Sequence, residues 1–158
     1  MTRIAISGHR GLPDATTRLV RDALETELAK RSPGLIGISC LADGADQLFA
    51  QTVLALGGTL EAMVPSAEYR DRLPSDAHET YDALMAQAST VYQTGRTEDG
   101  PEAHQAASEE MVNLADLLMA VWDGKPSRSY GGTADVVAYA RQLGVPVVVV
   151  WPDGATRD

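Results

Sequence analysis

The sequence predicts an α/β fold of three layers, with a doubly wound, mainly parallel sheet between two layers of helices. Three observations lead there. Short apolar runs alternate with segments of helical period along the whole chain. The apolar runs are near-continuous, as in strands buried on both faces. Glycine-bearing segments follow three of those runs and precede helices, the connection expected of βα units.

Taken in order, Arg3–Ser7 (RIAIS) is a short apolar strand. Asp14–Lys30 follows, with Val20, Ala23, Leu24 and Leu28 at helical spacing, and Pro33-Gly34 breaks it. Leu35–Cys40 (LIGISC) is the second strand. Asp43–Leu56 sets Ala45, Leu48, Phe49, Thr52, Val53 and Leu56 on one helical stripe, and Gly57-Gly58 ends it. Thr59–Val64 is the third strand, Ser66–Pro74 a polar loop. Ser75–Ala88 is a helix, with Asp76 and Glu79 at capping-box spacing and Tyr81, Leu84, Met85 and Ala88 inward.

Thr90–Tyr92 is a weak fourth strand, and 94–101 a loop. Glu102–Ala115 is a helix, and Asp116–Trp122 (DLLMAVW) a strong buried strand. A loop over 123–130 leads into Gly131-Gly132-Thr133, which opens a helix running to Leu143. Gly144 stops that helix, and Val147–Trp151 is the last strand. One Rossmann-like domain over residues 1–152 is expected, with a loose tail at 153–158. The first strand belongs in the middle of the sheet, because it is short, wholly apolar and flanked by the two best helices. Crossovers should be right-handed.

Composition narrows the function classes. The 158 residues carry 13 Lys and Arg against 22 Asp and Glu, a net charge of −9. A nucleic-acid binder neutralises phosphates with clustered cations, and Lys30 and Lys125 are the only lysines, so nucleic acid is not the expected partner. A small anion needs only backbone amides and an arginine or two. The longest apolar run, near Val145–Trp151, is too short to span a bilayer. No signal-peptide pattern stands at the start, and Cys40 is the only cysteine. A cytoplasmic protein without disulfide or cysteine metal cluster is expected. His9, His78 and His104 show no metal-ligand spacing, so no metal is expected.

In parallel sheets ligands bind beyond the carboxyl ends of the strands, where strand order reverses. After the first strand comes Ser7-Gly8-His9-Arg10-Gly11, where glycines let backbone approach a ligand and Arg10 can meet an anion. A plain turn is the alternative. After the second come Asp43, Gly44 and Asp46; Asp46 accepts from a ribose hydroxyl, or both acids merely favour the helix dipole. After the fifth come Asp123 and then Gly131-Gly132-Thr133, a phosphate cradle or a simple Thr133 N-cap. Together the loops place a phosphate between Gly8-His9-Arg10 and Gly131-Gly132-Thr133, with a sugar near Asp43-Gly44 and Asp123. Tyr69 is positioned to stack on a base and Arg70 to meet a phosphate, whereas Arg72 is read as solvated. Glu109 and Asn113 share a helix face that can reach the crevice, and Glu110 faces solvent. His78 and His104 are read as surface residues and Cys40 as inert core.

The order of these motifs resembles the SLOG superfamily, which groups the Rossmann domain of DNA-processing protein A, the Lonely Guy proteins and related nucleotide sensors. The stretch GISCLADGADQLFAQTVLALGGTLEAMVP resembles the DNA-processing protein A segment with a Gly-Ile/Ala-Asp turn, an alanine-rich helix and a Gly-Gly. ISGHR and MVNLADLLMAVWDG…GGTADVV look more like a small stand-alone branch. Lonely Guy proteins are nucleotide phosphoribohydrolases with a PGGxGTxxE signature, whose glutamate and an upstream arginine act at the glycosidic bond. Here Gly132-Thr133 match the GT pair, but the glutamate position falls on Val136 and the arginine position on Ala107. Nucleoside deoxyribosyltransferases have a similar GTAxE start, and Val136 again replaces the acid.

Glycosidic cleavage needs a carboxylate beside an oxocarbenium-like state, and valine supplies none. Val136, Ala140 and Leu143 also fall on one buried stripe. The resemblance with this departure implies a nucleotide-binding sensor or carrier without catalysis, its only cofactor a bound nucleotide. The alternative is an N-glycosidic hydrolase using Asp135, Glu109 or Asp46. A DNA-processing role is disfavoured by the acidic balance and the lack of a winged-helix extension. A homodimer or higher homo-oligomer is expected, paired through the apolar-rich helices 102–115 and 76–88, where Ala103, Ala106, Ala107 and Met111 offer a smooth face.

Overall fold

The computed structural model describes residues 1–157. Six strands and six α-helices alternate: β1 (Thr2–Gly8), α1 (Asp14–Ala29), β2 (Leu35–Ser39), α2 (Ala45–Ala55), β3 (Thr59–Val64), α3 (Tyr69–Arg72), α4 (His78–Gln87), β4 (Thr90–Gln93), α5 (Pro101–Leu114), β5 (Leu117–Val121), α6 (Thr133–Leu143) and β6 (Val147–Val149). The strands form one sheet in the order β4-β3-β2-β1-β5-β6. All five pairings are parallel, and β1 is central, with Ile4 opposite Leu117 and Gly8 opposite Val121. The chain winds outward from β1 to β4, then returns to the other side of β1. The reversal lies between β1 and β5.

Side-chain alternation along β1 and β5 feeds two cores. Ile4, Ile6, Met119 and Val121 pack with Val20, Leu24 and Leu28 of α1 and with Phe49 and Val53 of α2. Ala5, Leu118 and Ala120 pack with Leu84 of α4, Ala107 and Met111 of α5, and Val136 and Val137 of α6. Gly37 of β2 is where α2 seats: a Cβ there would stand 2.7 Å from Val53 and 2.8 Å from Phe49. Phe49, the single phenylalanine, is completely buried on that glycine. Burial of such a side chain is worth about 1.5–3 kcal/mol.

Several expectations shift in detail. The second helix starts at Ala45 rather than Asp43, because Gly44 stands at φ +85°. The polar loop after β3 contains the single-turn helix α3. The helix expected from Ser75 opens as a 3-10 turn over Ser75–Ala77, and neither that turn nor α4 has a side-chain cap, so the spacing of Asp76 and Glu79 makes no capping box. Val136 and Ala140 are buried in the core, but Leu143, at the end of the stripe, is half-exposed. Ala103, Ala107 and Met111 face the chain's own core, so they form no free face for a partner.

The segment at 153–158, expected as a loose tail, is held to α1 through Thr156. The Thr156 N–H donates to Oγ1 of Thr16 at 2.9 Å, and that hydroxyl lies 2.9 Å from the Thr156 carbonyl. Asp158 lies outside the described residues. No helix among the described residues is long and apolar enough to cross a membrane.

Candidate functional site

A cleft of about 420 Å³ opens at the carboxyl ends of β3, β2, β1 and β5, within the usual range for small-molecule sites. Ser7, Gly8, His9, Arg10, Asp46, Gly131, Gly132 and Thr133 all line it. Gly8 ends β1 where the first turn of α2 crosses it; a Cβ would sit 2.4 Å from that of Ala45, so only a glycine lets the two elements meet.

His9 joins three elements. Its N–H donates to the Val121 carbonyl at 3.1 Å, and its carbonyl accepts from Ala45 at 3.2 Å. Its ring is almost buried, lies edge-on to Trp151 and accepts through Nε2 from the Asp123 N–H at 3.0 Å. Burial first, and the Arg157 charge second, lower its pKa, which favours the neutral imidazole that this bond requires. Arg157 also approaches the Asp123 carboxylate, with Nη1 at 3.8 Å. Burial alone would raise that carboxyl, but the Lys125 amide and the Arg157 charge work against it, and Asp123 is held below the ordinary range.

Asp43 braces the first loop. It accepts from Nε of Arg10 at 2.9 Å and from the Gly11 N–H at 3.2 Å. Gly44 backs onto the same loop, where a Cβ would stand 2.6 Å from the His9 carbonyl. Asp43, Gly44 and Asp123 are not among the residues that line the cleft; the two carboxylates brace the loops that do. Asp46 is on the cleft wall. Its Oδ2 accepts from the Ala42 N–H at 3.3 Å, and burial raises its carboxyl to about 7 against the pull of that amide and of Arg10.

At the opposite wall, Gly132 is the N-cap of α6, and no side chain caps the helix, Thr133 included. Asp135 turns back to accept from the Gly131 N–H at 3.0 Å. Among the described residues, the amides of Gly132, Thr133 and Ala134 have no acceptor, and all three residues line the cleft. Such a helix N-terminus favours an anion. Asp135 is spent on its own loop, and Glu109 accepts from Gln105 at 3.0 Å; neither lines the cleft.

Other residues divide in the same way. Tyr69 is buried at the wall, its ring edge-on to His104. Arg70, read as a phosphate contact, is instead paired with Asp82 at 2.7 Å outside the cleft. His104, expected at the surface, lines the cleft and bonds Asp99 at 2.8 Å. Asn113 lies outside it, accepting from the Tyr139 hydroxyl at 2.8 Å. Cys40 is buried, and burial holds its thiol well above the ordinary range.

Three cleft cations were not foreseen: Lys125, Arg128 and Arg157. The first two stand openly in the loop after β5, and their nearness to Gly131-Gly132 was the signal to follow. With Arg10 they put four of the chain's 13 Lys and Arg on one cleft, against Asp46 as its single acidic residue.

Neither a protein-family model nor a curated protein matches the sequence. Solved structures do match in fold. DNA processing protein A from Helicobacter pylori, described by its single-stranded DNA binding mode, is 19% identical, with a TM-score of 0.71 over 99% of this chain and 68% of that one. DNA processing protein A from Streptococcus pneumoniae is 16% identical, with a TM-score of 0.70 over 98% of this chain and 52% of that one, so the chain spans about half its length. The molybdenum cofactor binding protein from Rippkaea orientalis is 18% identical, with a TM-score of 0.63 over 96% of this chain and 77% of that one. The likeness is one of fold, and the fold is the Rossmann-like one to which the sequence resemblance points.

Proposed function

We propose that the chain binds a nucleotide or nucleotide derivative in this cleft, as a sensor or carrier that leaves the ligand intact. The observation that carries this reading is the charge of the cleft: Arg10, Lys125, Arg128 and Arg157 around the open amides of Gly132, Thr133 and Ala134, in a chain of net charge −9. The cations and amides mark the phosphate end. Neighbours of this fold are described as binding single-stranded DNA or molybdenum cofactor, which supports a ligand-binding role. A thermal-shift screen with nucleotides, cyclic nucleotides, ADP-ribose derivatives and cytokinin precursors tests it. A ligand raises the melting temperature with concentration by mass action, and no shift with any of them contradicts the reading.

The second reading is N-glycosidic hydrolysis of the same ligand. Its support is Asp46, the one proposed carboxylate that lines the cleft and one whose burial holds a proton near neutral pH. Against it, the core position of Val136 leaves no acid where the hydrolase signature has one. Release of free base or ribose phosphate from the nucleotide panel decides between the two.

A cytoplasmic homodimer completes the proposal. With the alanine face of α5 buried, Leu143 on α6 and Val149 on the edge strand β6 are among the exposed apolar groups that can serve for pairing. Light scattering of a monomer at high concentration contradicts that part alone.

A further inference from the structure

We propose that the ligand carries a base with an amidine edge, a ring N–H beside an exocyclic amino group as in guanine, and that this edge sits on the carboxylate of Asp46. This assignment rests on the nucleotide reading above and adds the class of base.

The cleft is polarised along the sheet. Arg10 follows β1, and Lys125 and Arg128 follow β5; Asp46 comes after β2, and Pro65 and Tyr69 after β3. From β5 to β3 is three interstrand steps, about 14 Å. A ligand whose phosphate rests at the start of α6 therefore extends toward β2 and β3. There the wall includes Pro65, Tyr69, His104 and Met111, and Asp46 supplies the one carboxyl of the lining.

That carboxyl has a single hydrogen-bond partner. Its Oδ2 accepts from the Ala42 N–H at 3.3 Å, and among the described residues no donor reaches Oδ1. Arg10, the nearby cation, pairs with Asp43 at 2.8 Å and makes no ion pair with Asp46. Oδ1 is not among the side-chain atoms buried without a partner, so it opens to the cleft, where a ligand that supplies donors can reach it. Two parallel N–H groups from an amidine edge match a carboxylate, as a guanidinium does. Adenine offers one donor and one acceptor along its edge, and hypoxanthine lacks the amino group.

The charged and titratable groups around Asp46 are Arg10 and Asp43 from the two neighbouring loops, Cys40 just after β2 and Tyr69 from α3. Burial raises the Asp46 carboxyl to about 7 against the opposing influence of Arg10. The free cleft thus holds much of the acid form near neutrality, and an amidine edge, which pairs with the carboxylate, drives the proton off.

The test is equilibrium titration of the full chain with guanosine, inosine and adenosine monophosphates and 2′-deoxyguanosine monophosphate, at pH 6 and pH 8. Wild type is compared with Asp46→Asn, which keeps an oxygen for the Ala42 N–H. The expected result is guanosine monophosphate bound about tenfold or more tighter than inosine and adenosine monophosphates. The guanosine-to-inosine ratio, in which the ionisation of the phosphate cancels, should grow with pH and collapse in Asp46→Asn. The wild-type ratio and its pH dependence decide the matter even if that variant does not fold. Equal binding of guanosine and inosine monophosphates overturns the base assignment while leaving nucleotide binding intact. Weak binding of the 2′-deoxy compound with no guanosine preference overturns it in favour of a ribose hydroxyl at Asp46. Binding of none of the four overturns this assignment, and a blank thermal-shift screen beside it overturns the nucleotide reading as well.

Discussion

The backbone N–H of Asp123 donates to Nε2 of His9 at 3.0 Å, joining the loop after β5 to the loop after β1 across the point where strand order reverses. The bond needs a neutral ring with its proton on Nδ1. Burial lowers the pKa of His9 from 6.5, so the folded chain resists a protonation that the unfolded chain accepts. The resulting stability is present above pH 6.5 and is lost as pH falls below it. Nitrogen NMR should show His9 as the Nδ1–H tautomer at neutral pH, titrating below 6.5. An Nε2–H tautomer, or titration above that value, contradicts the bond.

Asp46 pulls stability the opposite way. Its carboxyl moves from 3.8 when unfolded to about 7 when folded, so the native state holds the extra proton between those values. Stability contributed by this group is greatest below pH 3.8 and falls as pH rises toward 7. The full change is of the order of a few kcal/mol. Denaturant unfolding of Asp46→Asn should therefore gain on wild type steadily from about pH 4 to pH 7. Parallel curves for the two proteins would show that Asp46 ionises normally.

Arg10→Ala should weaken a phosphate-bearing ligand by about tenfold or more, the loss of a charged hydrogen bond worth about 1.5–3 kcal/mol. The side chain is 43% exposed and outside both cores, so the melting temperature of the free protein should stay nearly unchanged. Calorimetric titration beside thermal unfolding measures both. Unchanged affinity removes Arg10 from the site.

The sheet and its centre were legible because β1 and β5 are short, apolar and buried on both faces, a pattern few other structures produce. The glycine loops were legible by position. The part played by Arg157 was not: its segment is fixed by Thr16 and Thr156, 140 residues apart, and nothing local announces such a contact. The smooth alanine face of α5 misled because small residues pack equally well on a partner and on the chain's own sheet. Four residues of α3 are too few to show a helical period. The bracing done by Asp43 and Asp123 is not legible in the sequence, since a carboxylate near a glycine turn can brace it as well as meet a sugar.

Two glycines should separate fold from binding. A Cβ on Gly132 would lie 2.6 Å from Oγ of Ser127, in the loop that carries Lys125 and Arg128. Gly132→Val should displace that loop and abolish ligand binding while the cores persist. Gly44 stands at φ +85°, with the His9 carbonyl 2.6 Å from where a Cβ would be. Gly44→Ala should lower the stability of the free protein by about 1–3 kcal/mol. Full affinity in the first variant, or wild-type unfolding in the second, contradicts these assignments.

The most direct test of the anion cleft is calorimetric titration of the chain with each nucleoside monophosphate and with the matching nucleoside, at two salt concentrations. The account predicts that the monophosphates bind at least tenfold tighter than their nucleosides and that added salt narrows the gap, because cations and open amides hold the phosphate. Nucleosides bound as tightly as their monophosphates, or no binding of either, would contradict it.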